Sequence, residues 1–153
     1  MWVVLAGLAA WASLTVATTA LAELPFAALL PLLVLAATFE IAYAVHTGVE
    51  RIGRYIQVFF EDEQAGRGWE SQAMAYGRLF RGRGSDPLFA LYFSSAAILN
   101  FVPVVIAGPV AIEWGFVGVI HLLFVFRVLV ARREAGLQRA LDLERFQQLK
   151  SRP

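Results

Sequence analysis

The chain alternates between long apolar runs and stretches in which apolar and charged residues share a helical period. Residues 2–22 contain no charged side chain. About 20 apolar residues cross the hydrocarbon core of a bilayer, so this run reads as a first transmembrane helix. A second run covers 24–46. It opens on Pro25, is interrupted by Glu40, Tyr43 and His46, and meets no Gly-Pro pair before the pattern changes. From there, Val49, Ile52, Ile56, Phe59 and Phe60 share one helical face, and Glu50, Arg51, Arg54, Gln57 and Glu61 take the other. The spacing predicts one long helix, transmembrane over 24–46 and amphipathic over 47–63. Pro31 is a candidate kink in its first half. The acidic run Glu61-Asp62-Glu63 closes the element.

Residues 64–86 form a glycine-punctuated loop. Trp69, Ala73, Tyr76 and Phe80 keep a helical spacing inside it, which predicts a short interfacial helix. Ser85-Asp86-Pro87 is a helix-start signal, a capping side chain followed by proline. A third transmembrane run follows over 87–107, with Ser94, Ser95, Asn100 and Pro103. Gly108-Pro109 makes a turn. A fourth run covers 110–131, with Glu113 and Trp114 near its start and His121 near its middle. Residues 132–150 carry a weaker stripe of Leu137, Leu141 and Phe146, and Gly136 marks a candidate break. The expected fold is a single-domain, all-α integral membrane protein over 1–153. It has four transmembrane helices in two hairpins, with a cytoplasmic amphipathic helix after the second and the fourth.

Composition supports the membrane class. Of the 153 residues, 59% are hydrophobic and 16% are charged, against roughly a quarter charged in soluble domains. Thirteen Lys and Arg face twelve Asp and Glu, for a net charge of +1. That balance, with four apolar runs, gives no footprint for nucleic acid. The placement of charge is more telling. Every Lys and Arg lies in 51–83 or 127–152. By the positive-inside rule, both termini and the central loop are cytoplasmic, as in a bacterial inner (plasma) membrane. Ala20-Leu21-Ala22 has the form of a signal-peptidase site, but no basic residue precedes Arg51, so the first run is read as a retained helix.

No cysteine is present, which removes thiolate chemistry. The polar residues within the runs suggest an intramembrane layer of Glu40, Ser94, Ser95, Asn100 and His121. Counted from the outer helix ends, Glu40 lies about 22 Å deep, Asn100 about 10 Å and His121 about 14 Å. Helix tilt brings Glu40 and His121 within reach of each other. An acid at such depth needs a partner or a proton. The functional reading is a proton or substrate relay; the structural one is interhelical hydrogen bonding.

A second constellation is His46 with Glu50, spaced i, i+4, a candidate metal or imidazole-orienting pair. The depth difference between His46 and His121 disfavours both ligating one haem, but leaves a haem shared between two chains. No cofactor is predicted; haem or metal is the weaker option. The third constellation is a partner or lipid surface: Glu50, Arg51, Arg54 and Tyr55, with the loop arginines Arg78, Arg81 and Arg83. Nucleotide-loop, nucleophile-elbow and zinc-protease signatures are absent from the sequence. The leading expectation is a non-enzymatic subunit, assembly factor or adaptor, with membrane lipids and another membrane protein or its own copies as partners. The alternative is an oligomeric proton- or ion-coupled transporter using Glu40. A redox subunit holding haem or metal is weaker still.

Overall fold

In a computed structural model, the structure describes residues 2–20, 24–61, 68–79 and 86–152. The side chains of residues 77, 78 and 86–89 are not described. The described residues are mostly helical and contain no strand. Helix α1 spans Trp2–Thr19. A short 3-10 turn at Pro25–Ala28 leads into α2, Leu29–Phe59. Helix α3 is Trp69–Leu79, α4 is Asp86–Ala107 and α5 is Ala111–Lys150. Four of these segments, starting at Trp2, Pro25, Ala90 and Ala111, are long and apolar enough to cross a membrane by length and composition.

The local chemistry explains where the helices begin and end. Pro25 sits at the first position of the 3-10 turn, where its missing N–H is no loss. Pro31 falls in the first turn of α2. Its missing N–H is tolerated there too, so the position expected to kink the helix instead belongs to its start. Pro103, by contrast, lies inside α4 and withholds one backbone hydrogen bond. Gly108 ends α4 with a φ of 61°, a left-handed conformation that glycine adopts without a Cβ penalty. Glu113 then reaches back to the amide of Val110 at 3.0 Å and caps the start of α5. Gly136 does not break α5, which runs unbroken for 40 residues, about 60 Å at helical rise.

The chain divides into two compact units. The first comprises 1–43 and 88–130; the second comprises 44–87 and 131–153. In the first unit, α1, the start of α2, α4 and the start of α5 pack around an apolar core. Phe39 is fully buried. It meets Phe93 and Phe124 edge-on, with ring centroids 5.1 and 6.0 Å apart, the arrangement that aromatic quadrupoles favour. Gly7 lets α1 approach α2 closely, since a Cβ there would collide with the Thr38 side chain. The outside of this unit is apolar as well: Ile98, Ile106, Leu122 and Phe126 are all exposed.

The second unit buries two charges and exposes large apolar side chains. Arg54 and Asp142 are buried, at 3% and 5% exposure, while Ile52 and Phe60 stand at 60% and 73%. The apolar stripe of α2 recognised in the sequence, Val49, Ile52, Ile56, Phe59 and Phe60, points outward. Of the charged face, expected to form a partner or lipid surface, Arg54 turns inward while Arg51 stays exposed.

Candidate functional site

In the first unit the polar residues form a closed hydrogen-bonded cluster. Asn100 of α4, fully buried, lies at its centre. Its amide nitrogen donates to the carbonyl of Ala28 at 2.9 Å and faces His121 Nε2 at 3.0 Å. Its oxygen accepts from Trp11 Nε1 at 3.2 Å and from Thr15 Oγ1 at 3.1 Å. These partners fix which end of the amide is oxygen. His121 Nδ1 lies 2.8 Å from the carbonyl of Val117. A carbonyl only accepts, so Nδ1 carries the proton, and Nε2 accepts from Asn100. Both imidazole nitrogens are therefore engaged in the neutral ring. An iron ligated by His121 would have to displace Asn100.

The cluster joins α1, the turn before α2, α4 and α5 through one side chain. Ser94 is half-buried and Ser95 exposed, and neither joins it. Trp11 and Thr15 do, although the sequence pattern singled out neither. Their i, i+4 spacing on α1 was the available signal.

Glu40 takes a different partner from the one expected. Its two carboxylate oxygens receive Arg127 Nε at 2.9 Å and Nη2 at 3.0 Å, a side-on bidentate pair. The guanidinium also lies over the rings of Phe39 and Tyr43, at 5.8 and 5.2 Å from their centroids, within cation–π range. His121 is thus not the partner of Glu40. Both carboxylate oxygens are held by one guanidinium, the geometry of a structural clamp.

An apolar groove of about 310 Å³ lies between α4 and α5, lined by Phe101, Trp114, Gly118 and His121 among others. The ring nitrogens of His121 are turned into the Asn100 cluster, so the groove offers no polar group from it.

In the second unit, the residues expected to form a charged surface are tied into ion pairs. Arg54 donates to Glu70 of α3 at 3.0 Å and to Gln57 at 2.8 Å. Glu50 pairs with Arg139 at 2.8 Å. Arg51 pairs with Asp142 at 3.2 Å; the arginine stays half exposed while the acid is buried. Tyr55 joins an aromatic cluster, with Phe59 at 4.9 Å and Phe146 at 5.6 Å between centroids. Lys150 caps the end of α2 by donating to the carbonyl of Val58 at 2.7 Å. His46 is half-buried on the same helix as Glu50. Among the described residues no group of three His, Cys, Asp or Glu is placed to hold a metal ion. Arg81 and Arg83 lie outside the described residues, and the side chain of Arg78 is not described.

Helix α3 is held from below by Glu61. Its carboxylate accepts from the amides of Glu70 and Ser71, at 2.6 and 3.0 Å, and from Ser71 Oγ at 2.6 Å. These are donors of the first helical turn, which otherwise lack partners. Desolvation opposes the charge on Glu61. The hydrogen bonds from Ser71 and from the amides of Glu70 and Ser71, with the nearby Arg54, outweigh it and hold the carboxyl below its usual range. No family model, curated protein or solved structure matches the chain.

Proposed function

We propose that this chain is a non-enzymatic integral membrane protein that acts as a subunit or adaptor, docking an apolar partner on its second unit. The supporting observation is an exposed apolar face on that unit. Arg54 and Asp142 are buried in ion pairs, while Ile52, Ile56, Phe59 and Phe60 are presented outside. An apolar face of this extent needs lipid or protein against it. Tyr55, Phe59 and Phe146 form a contiguous aromatic platform, a composition common at the centres of protein interfaces. The four long apolar helices and the confinement of Lys and Arg to 51–83 and 127–152 support insertion in a bacterial inner membrane, with both termini and the second unit toward the cytoplasm.

The inward turn of Arg54 moves the decisive experiment away from charge reversal. Reversing Arg54 breaks an internal pair and disturbs the fold. Ile52→Glu and Phe60→Glu alter the outer face and leave those pairs intact. Purification in mild detergent followed by mass spectrometry is expected to yield a membrane partner, or a homo-oligomer, that either substitution removes. Recovery of a monomer alone under every extraction condition refutes the reading.

A further inference from the structure

We infer that α3 lies in the surface of an anionic bilayer, with its aromatic face in the lipid. The inference rests on the reading of the chain as an integral membrane protein, and adds a lipid-binding element to it.

The argument starts from how α3 is attached. It turns Glu70 and Ser71 toward α2, where Glu70 binds Arg54 and Ser71 binds Glu61, and leaves Gln72 on the opposite, exposed face. Gly53 makes room for this contact, since a Cβ there would meet Glu70 Oε2 at 2.8 Å. The opposite face carries Trp69, Tyr76 and Leu79, at 81%, 51% and 77% exposure. Ala73 shares that face and is exposed. A helix docked on water-soluble neighbours buries its aromatics and exposes its acids; α3 does the reverse. Trp and Tyr on a single face are the side chains that settle at the headgroup level.

The sign of the surface comes from charge. The stretch 64–86 contains Arg67, Arg78, Arg81 and Arg83, against only Glu70 and Asp86 as acids. Arg54 already neutralises Glu70. The excess is positive and flanks α3 in the sequence, and basic residues are drawn to an anionic leaflet. Protein could cover the same face, but the arginine excess beside interfacial aromatics, on a chain with four apolar spans, favours the lipid.

The chain has no cysteine, so single reporters can be placed cleanly. Nitroxide labels at Ala73→Cys and Leu79→Cys are read in the full chain reconstituted in vesicles of phosphatidylcholine with phosphatidylglycerol, and in phosphatidylcholine alone. Collision with oxygen is expected to exceed collision with a water-soluble nickel chelate at both sites. The depth is expected to become shallower when the anionic lipid is omitted. Preferential access of the nickel chelate overturns the inference. Exclusion of both reagents also overturns it, because protein then covers the face. Equal depth in the two lipids overturns the anionic assignment. A label at Leu122→Cys, on the apolar outside of α5, separates the two levels. If Leu122 reports water, the membrane reading itself fails. If Leu122 reports lipid while the α3 labels report water, only the placement of α3 fails.

Discussion

The ion pair between Arg54 and Glu70 sets how firmly α3 is held, and it can be tested by removing one charge. The guanidinium is 4% exposed and the carboxylate 20%, with 3.0 Å between them. At an effective dielectric constant of about 20, two charges at this distance attract by about 5–6 kcal/mol before desolvation is counted. Desolvation consumes much of that, so the intact pair adds little net stability. Glu70→Gln keeps the shape and deletes the charge. Arg54 then keeps the neutral acceptor Gln57 and only the more distant carboxylate of Glu61. Removing the direct partner of a buried charge costs up to about 3–5 kcal/mol. The cheapest relief is for α3 to open and let water reach the guanidinium.

The assay is hydrogen exchange at the amides of residues 73–79, with those of α2 as an internal reference. A loss of about 3 kcal/mol in the free energy of local opening raises exchange about a hundredfold, because each 1.4 kcal/mol is a factor of about ten. Exchange in α2 over 45–55 is expected to change little. The double variant Arg54→Met with Glu70→Leu removes both charges and restores apolar packing. It should return α3 close to its original protection. If Glu70→Gln leaves exchange in α3 unchanged, the pair does not hold the helix. If the double variant is as exposed as the single one, the penalty did not come from a stranded charge.

Three further outcomes are expected. Because Glu61 is held below its usual pKa when folded, its contribution is complete above the unfolded pKa and is lost as the pH falls through the folded one. Protection in α3, corrected for the intrinsic exchange rate, should therefore fall as the pH drops below the usual carboxylate range, and Glu61→Gln should abolish that pH dependence. Asn100→Leu leaves Trp11, His121 and the Ala28 carbonyl without their partner. A loss of about 2–4 kcal/mol should appear as a lower midpoint of thermal unfolding in detergent; an unchanged midpoint would show that the cluster is dispensable. Glu40→Gln should destabilise the chain more than Glu40→Gln combined with Arg127→Gln, since only the single variant strands a charge. In a proteoliposome flux assay, pH-dependent transport that depends on Glu40 would argue against the structural role given to this pair.

The helices were legible in the sequence because apolar run length, Gly108-Pro109 and the Asp86-Pro87 signal each have a local physical cause. The break suggested at Gly136 did not occur. One glycine costs a helix about 1 kcal/mol, too little to interrupt the 40 residues of α5. The candidate site was read less well, for two reasons. Depth counting brought Asn100 and His121 near one level, and they are 3.0 Å apart. It had no means of assigning Arg127 to Glu40, because an arginine near the inner end of a span was counted with the cytoplasmic charge. Periodicity also identifies a face without saying what lies beyond it. The stripe of Val49, Ile52, Ile56, Phe59 and Phe60 was correctly grouped, but its outward direction depends on the surroundings rather than on the spacing.

That direction has a consequence for the whole chain. Each unit, taken by itself, combines close ion pairs with apolar side chains on the outside, although the second unit exposes Arg133, Glu144 and Arg145 as well. In the first unit, Glu40 and Arg127 are only partly buried, yet they close on each other through two bonds. In the second, Arg54 and Asp142 are buried against Glu70 and Arg51. Water would favour the opposite arrangement, because hydration stabilises separated charges and penalises exposed Phe60, Trp69 and Leu79. A medium of low polarity reverses both preferences, strengthening every ion pair and removing the penalty on the apolar exterior. These features point to a low-polarity covering over the apolar face of the second unit, whose surface also carries the exposed charges Arg133, Glu144 and Arg145. The second unit should be stable only while its outer face is covered. Stripping lipid and partner from it is expected to expose Ile52, Phe60 and Trp69 together and to aggregate the protein. Added phosphatidylglycerol should delay that aggregation more than phosphatidylcholine does. Equal protection by the two lipids would mean that the covering at α3 does not depend on charge.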